Sequence, residues 1–250
     1  MYLFGASPTL DKSFLDQQSH NLDALDDKGS YYKPYATSLR MGDLGYHNNA
    51  QSSLAICFNN LNNFTTTLGK AIHTPYAEYE KIGLKSGKKF IQINTNILQI
   101  ENEYYSSIRP KRTIFPTETP RHALNERGVE YIEVRCLDLN PFLPLGISAQ
   151  QIDFLDIFLL YCLMKESPII NDKECAQLDK NFDLAVNEGR KPGLTLKNEQ
   201  GDITLVSWLE YTLKDMQNIA QALDLACDDN RYQQALTEQA KKAHNADLCP

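Results

Sequence analysis

The spacing of apolar residues changes character about 150 residues into the chain. Before that point apolar and polar positions alternate over short runs, the period of two that half-buried strands require. In residues 130–140, EYIEVRCLDLN, one parity holds Ile132, Val134 and Cys136, and the other holds Tyr131, Glu133, Arg135 and Leu137. This predicts a strand with the first set on the core. Residues 90–105, FIQINTNILQIENEYY, predict a longer strand, with a bulge where Ile97 and Leu98 adjoin and with Glu101, Glu103 and Tyr105 on one face. Residues 54–58 predict a short strand. Leu61, Phe64, Leu68 and Ile72 follow helical spacing up to the stop at Thr74-Pro75. Residues 75–82 add a helical turn or two, residues 86–89 (SGKK) a tight turn, and residues 116–126 a polar connection. Residues 11–30, rich in Asp, Gln and Ser, read as variable surface.

From residue 147 the period lengthens to that of helices. SAQQ at 148–151 is a capping box, and the helix it opens is apolar almost all round over 154–164, which predicts burial. Gly189 predicts a helix stop, followed by Arg190, Lys191 and a rigid turn. SWLE at 207–210 is a second capping box, and Leu209, Leu213, Met216, Ala220 and Leu223 draw one apolar stripe. Residues 232–243 predict a last helix. The pattern describes an α+β protein: a sheet-bearing part over 1–146 and a mainly helical part over 147–250, packed as one domain.

Composition narrows the function. Asp and Glu number 32 against 25 Lys and Arg, a net charge of -7, which argues against a general nucleic-acid or membrane-surface binder and confines any cationic chemistry to a local patch. The six cysteines have no spacing that suits zinc or a small disulfide framework, so reduced cytosolic thiols are expected. The N-terminus lacks a signal-peptide pattern, and the most apolar run is too short to span a bilayer and contains Asp156. The expectation is a soluble, cytoplasmic protein. Both ends read as interrupted, as in a piece of something longer.

Three stretches carry candidate chemistry. Glu133 and Arg135 share a strand face one repeat, roughly 7 Å, apart. A carboxylate and a guanidinium so spaced can hold a metal ion and an anion side by side without neutralising each other, which suits phosphate handling. The plainer reading is a solvated face with charges paired across to a neighbour. In YYKPYATSLRMGDLGY, residues 31–46, a lone Arg40 sits among tyrosines and glycines, where an arginine can clamp a carboxylate with two forked hydrogen bonds. IRPKR at 108–112 is a basic corner after an acidic strand end. It reads as a phosphate-receiving corner or as solvated surface.

Several stretches resemble one family, the proteobacterial type of glutamate–cysteine ligase. They are FGASP (4–8), PYATSLRMGDLGY (34–46), QINTNILQIENEYYSSIRPKR (92–112), GVEYIEVRCLDLNPF (128–142) and EGRKPGLTL (188–196), in the same order along almost the whole chain. The resemblance implies ATP-dependent joining of the γ-carboxyl of L-glutamate to L-cysteine through a γ-glutamyl phosphate, the first step toward glutathione. It implies a glutamine-synthetase-like antiparallel sheet with helices packed on it, incomplete at both ends. Mg2+ (or Mn2+) is the implied metal, and ATP the co-substrate. By position, Arg40 matches the arginine on the glutamate α-carboxylate, and Tyr46 and Tyr105 match tyrosines of the cysteine pocket. Glu133 matches a magnesium-ligating glutamate, and Arg135 an arginine directed at the transferring phosphoryl group. Lys111 and Arg112 are expected near the nucleotide phosphates. Family members are longer, and an N-terminal part supplies further acidic metal ligands, so the chain alone is expected to have little activity. The rival readings are a non-catalytic amino-acid-binding fragment and a related ligase with another amine acceptor.

Overall fold

The computed structural model describes residues 3, 5–7, 9–15, 20–42, 50–51, 54 and 56–250. The region expected to be plain surface begins with β1 (Thr9–Asp11), α1 (Lys12–Leu15), β2 (Asp23–Ala24) and β3 (Ser30–Tyr32). The three strands form an antiparallel sheet in the order β1-β3-β2, while most described residues over 11–30 remain exposed. Leu10, Leu15 and Leu22 supply its small core, three apolar residues among polar neighbours that composition alone conceals.

Helix α2 (Leu61–Ala71) stands where the spacing puts it, with the Asn60 side chain accepting from the Asn63 N–H and with Phe64 and Leu68 buried. Helix α3 (Ala77–Ile82) and the hairpin β4 (Lys85–Ser86) with β5 (Lys89–Phe90) follow as predicted. The long strand over 90–105 does not form, and neither does the strand over 54–58 at its described residues. In the former, the N–H groups of Ile91, Ile97 and Leu98 donate to the Leu84, Thr74 and Ala71 carbonyls, and side chains take several of the remaining amides. The Ile93 N–H goes to Gln99 Oε1 (2.8 Å), the Asn96 N–H to Asn94 Oδ1 (2.9 Å) and the Gln99 N–H to Glu103 Oε2 (2.6 Å). Asn, Gln and Glu compete with the ladder for backbone groups, and here they win. The segment closes in a 3-10 turn, Glu101–Glu103, which sends Glu101 and Tyr105 in different directions from those of a strand.

Strand β6 (Ile108–Lys111) leads to α4 (Pro120–Arg127), where a plain connection was expected. Its start was written in the chain: Thr119 caps the His122 N–H and Pro120 sits at the first helical position. Strand β7 (Tyr131–Val134) is shorter than the pattern suggests and pairs antiparallel with β6. Its apolar parity is not on a core, since Ile132 remains 43% exposed. Helix α5 (Ala149–Met164) is capped by Ser148 as read, but only one face is buried. Ile157 is 0% exposed and Leu163 80%, so apolar residues all round did not mean burial all round.

Helix α6 (Asp172–Glu188) stops before Gly189, where a Cβ would collide with the Ala185 carbonyl and the Thr37 methyl; only glycine permits that approach. The hairpin β8 (Thr195–Asn198) and β9 (Gly201–Thr204) precedes α7 (Leu205–Asp215), capped by Thr204 rather than by Ser207. Helices α8 (Gln217–Cys227) and α9 (Arg231–His244) complete the helical part. The architecture is α+β, with four small antiparallel sheets among the described residues.

The chain divides into two compact units, and the division does not fall at 146/147. One comprises residues 1–45, 137–168 and 177–250, and the other residues 46–136 and 169–176. The larger unit has a core of Phe154, Ile157, Leu213, Met216, Ala220 and Tyr232 with their neighbours. The predicted stripe is therefore real, although it crosses a helix break at Met216. The smaller unit packs Phe64, Leu68, Leu98, Tyr104 and Leu124. In it Cys57 is joined to Cys175, 118 residues away, and the Asn59 amide brackets the backbone of Ile170. The expectation of reduced thiols is corrected for this pair, whose partners only the tertiary fold brings together. No helix among the described residues is long and apolar enough to cross a membrane.

Candidate functional site

The pleat of β6 and β7 assembles a charged face in the smaller unit. Register places Arg109 opposite Glu133 and Lys111 opposite Tyr131, so these residues and Arg135 share a parity. Lys111 Nζ lies 3.6 Å from Glu133 Oε2, and Arg135 Nε lies 3.5 Å from Glu133 Oε1. The expectation that Glu133 and Arg135 stand apart is therefore corrected: a strand repeat separates their backbones, but the long arginine side chain reaches back across it. All three side chains are partly exposed, so each pair contributes at most about 1 kcal/mol to stability. What the pairs do is orient: one carboxylate holds two cations side by side.

The guanidinium of Arg135 lies over the ring of Tyr105, 4.5 Å from its centroid. This cation–π contact gives the cluster an aromatic floor. Tyr105 is held by its backbone, whose N–H donates to Gln51 Oε1 (3.1 Å), while Gln51 Nε2 donates to the Glu103 carbonyl (2.9 Å). The Arg135 N–H donates to the Ser107 carbonyl (2.8 Å), which fixes the other partner two residues downstream.

Arg109 lies beneath this face, only 6% exposed. Burial pushes its guanidinium pKa down, repulsion from Arg135 adds to that, and Glu133 and Glu101 oppose it. Sequence reading passed over Arg109, although it shares a parity with Lys111 and the register would have found it. Gln51 left no signal.

Of the other expected residues, Arg112 turns away: its Nε lies 3.7 Å from Glu130 Oε2, so it does not join the Glu133 cluster through a direct contact. Arg40 belongs to the larger unit, is exposed, and its backbone N–H donates to Asp138 Oδ1 (2.7 Å). Tyr46 lies outside the described residues. No group of three acidic, histidine or cysteine side chains suited to a metal occurs among the described residues. Glu133 is a single carboxylate already shared by two cations, so these residues do not by themselves fit a magnesium ion. What they fit is an anion: Lys111 and Arg135 converge beside a flat ring, with Arg109 behind them.

The glutamate–cysteine ligase family matches residues 1–185. Glutamate–cysteine ligases of Pseudomonas entomophila and Azotobacter vinelandii are each 50% identical over 250 residues, which is 100% of this chain and 47% of each relative. The crystal structure of glutamate–cysteine ligase from Francisella tularensis in complex with AMP has a TM-score of 0.85 at 38% identity, covering 98% of this chain and 48% of that one. A bifunctional glutathione synthetase from Pasteurella multocida matches with a TM-score of 0.55 at 19% identity over 99% of this chain and 25% of that one, a likeness of fold alone. The chain thus spans about half the length of the curated relatives it matches, at 47%. With a family match over residues 1–185 and 50% identity to such ligases along all 250 residues, the chain belongs to the glutamate–cysteine ligase family.

Proposed function

We propose that this chain carries the phosphoryl-binding face and part of the amino-acid pockets of an enzyme that joins L-glutamate to L-cysteine at the expense of ATP. The observation that carries the proposal is the cluster of Lys111 and Arg135 around Glu133, over the Tyr105 ring. In the reaction a γ-carboxylate oxygen of glutamate attacks the terminal phosphorus of ATP and ADP departs. The cysteine amine then attacks the acyl carbon, and phosphate leaves. Charge builds on the phosphoryl oxygens in the first step, and fixed cations at that place lower the barrier. Lys111 and Arg135 are those cations, and Glu133 holds them in place until the phosphates arrive. Tyr105 walls the acceptor amino acid against water, and the family resemblance is what supports a role for Arg40 on a glutamate carboxylate. Arg112, paired with Glu130, serves the nucleotide from further out. Magnesium or manganese would neutralise phosphate charge when bound. Glu133 would ligate it only together with carboxylates from outside the described residues. In the whole enzyme the antiparallel strands of this chain would belong to one glutamine-synthetase-like sheet, extended by strands from outside this chain.

The test is a chimera in which this chain replaces the corresponding segment of Pseudomonas aeruginosa glutamate–cysteine ligase, which is 50% identical over 250 residues. ADP release is measured with cysteine, 2-aminobutyrate and glycine as acceptors. Cysteine-dependent turnover is expected, with Arg135→Met lowering kcat by about 10²–10³-fold. A preference for glycine defeats the cysteine reading, and unchanged turnover in Arg135→Met removes the phosphoryl role.

A further inference from the structure

The contact between Tyr105 and Arg135 depends on a turn that something must hold still. Tyr105 follows the 3-10 turn Glu101–Glu103 and the buried Tyr104, and it lies outside any strand. Lacking a ladder, it is directed by Gln51, which accepts from its N–H and donates to the Glu103 carbonyl, and by whatever fixes the start of that turn.

Arg109 fixes it. Its Nη2 donates to the Glu101 carbonyl (3.1 Å) and to Asn102 Oδ1 (3.0 Å), and its Nη1 donates to the Asn102 carbonyl (3.3 Å). A planar guanidinium can reach three acceptors at once in a fixed fork, which an ammonium cannot do. Arg109 is also the residue of β6 opposite Glu133. One side chain thus links the strand pair that carries Lys111, Glu133 and Arg135 to the turn that carries Tyr105. A buried cation is costly, and an apolar residue at this strand position would pack without that cost. The arrangement is explained if the connection itself is what matters.

We propose that Arg109 is a positioning residue: by clamping the backbone of Glu101 and Asn102 it keeps the Tyr105 ring beneath the Arg135 guanidinium. This rests on the reading of the Lys111–Glu133–Arg135 face given above, and it adds a residue that touches neither substrate nor phosphate.

Two measurements test it. In the 250-residue chain, the Nε–H resonance of Arg135 is expected to be shifted upfield by the Tyr105 ring current, since the guanidinium lies 4.5 Å from the ring centroid. Arg109→Met is expected to abolish that shift while amide resonances of the larger unit stay in place. Arg109→Lys, which keeps the charge and protects the fold, is expected to reduce it. Arg127→Met, which breaks the pair with Glu118, is expected to leave the shift unchanged. In the chimera, Arg109→Lys is expected to raise the KM for cysteine and lower kcat, together about ten- to hundredfold in kcat/KM, with the KM for glutamate unchanged. A residue that only supports the fold would instead lower kcat in proportion to the folded fraction and leave both KM values alone. An Arg135 resonance that keeps the full upfield shift of the parent in both Arg109 variants, or unaltered kinetics per folded molecule, overturns the proposal. Absence of turnover in the unmodified chimera defeats the functional reading instead, and the resonance experiment still decides whether Arg109 positions the ring.

Discussion

Helices α7 to α9 in the larger unit and the stretch from Gln99 to Arg135 in the smaller one are held together by different forces. In the helices, Leu213, Met216, Ala220, Tyr232 and Leu236 bury their side chains in one core, and polar groups intervene mainly at helix ends. In the charged stretch, long polar side chains reach backbone groups that no regular element satisfies, and the cations lie at or just below the surface. The first arrangement stores stability in contact area. The second stores little stability and holds a few side chains in set directions, which is what a binding face requires.

That contrast can be broken most directly in the core. Met216→Ala is expected to lower unfolding stability by about 2–5 kcal/mol in urea titration, because Met216 is 0% exposed. Glu133→Gln in the same assay is expected to change stability by less than about 1 kcal/mol. A loss as large as that of Met216→Ala would show that the charged face is structural after all. Next in size is the Cys57–Cys175 link: replacing both by serine removes a long cross-link in the smaller unit and is expected to cost about 2–4 kcal/mol, with the same loss on adding a thiol reductant to the parent chain. Equal stability of oxidised and reduced protein would remove the disulfide from the account.

A smaller effect is expected at the start of α9. Asp224, on α8, accepts from the backbone N–H groups of Tyr232 (2.9 Å) and Gln233 (3.0 Å) and caps the neighbouring helix. Burial alone would raise its pKa, but the N–H groups of Gln233 and Tyr232 outweigh it and hold the carboxyl below its usual range. Asp224→Ala is expected to cost about 1–2 kcal/mol at neutral pH, read by thermal unfolding. The smallest effect is confined to acid. The hydrogen bond from Arg127 lowers the Glu118 pKa to about 2, helped by the Phe115 N–H. A depressed carboxyl contributes stability above its unfolded value of about 4.3 and loses it as pH falls through the folded value. Glu118→Gln should therefore flatten the pH dependence of stability between about 4.3 and 2 and leave the curve above it parallel to that of the parent. An unchanged acid limb would mean that the Arg127 pair is not maintained in solution.

Where a side chain's role was local, it was legible. Ser148, the Leu61 to Ile72 spacing, the Leu209 to Leu223 stripe and the turn at Gly87 all act within a few residues, and each stands where spacing placed it. The site was partly legible on the same ground, since the parity of 131, 133 and 135 is a property of any strand. The failures share a cause. Residues 90–105 alternate like a strand but meet a neighbouring backbone only at scattered points, such as the bridge of Asn96 with Pro75, and several of their amides bond instead to Gln, Asn and Glu side chains. The apolar surround of α5 predicted a buried helix that the packing covers on one side only.

The sequence by itself determined the periods of α2, α5 and α7 to α9, the cap at Ser148, the α+β class and the family, because these depend on residues near one another or on motif order. Tertiary structure decided that Glu133 is shared by Lys111 and Arg135, that Tyr105 lies under the Arg135 guanidinium, that Arg109 bonds the turn at Glu101 and Asn102, and that Cys57 meets Cys175. Those facts join residues distant along the chain or separated by a turn. Whether such groups meet depends on the path of the backbone between them, which no local pattern records.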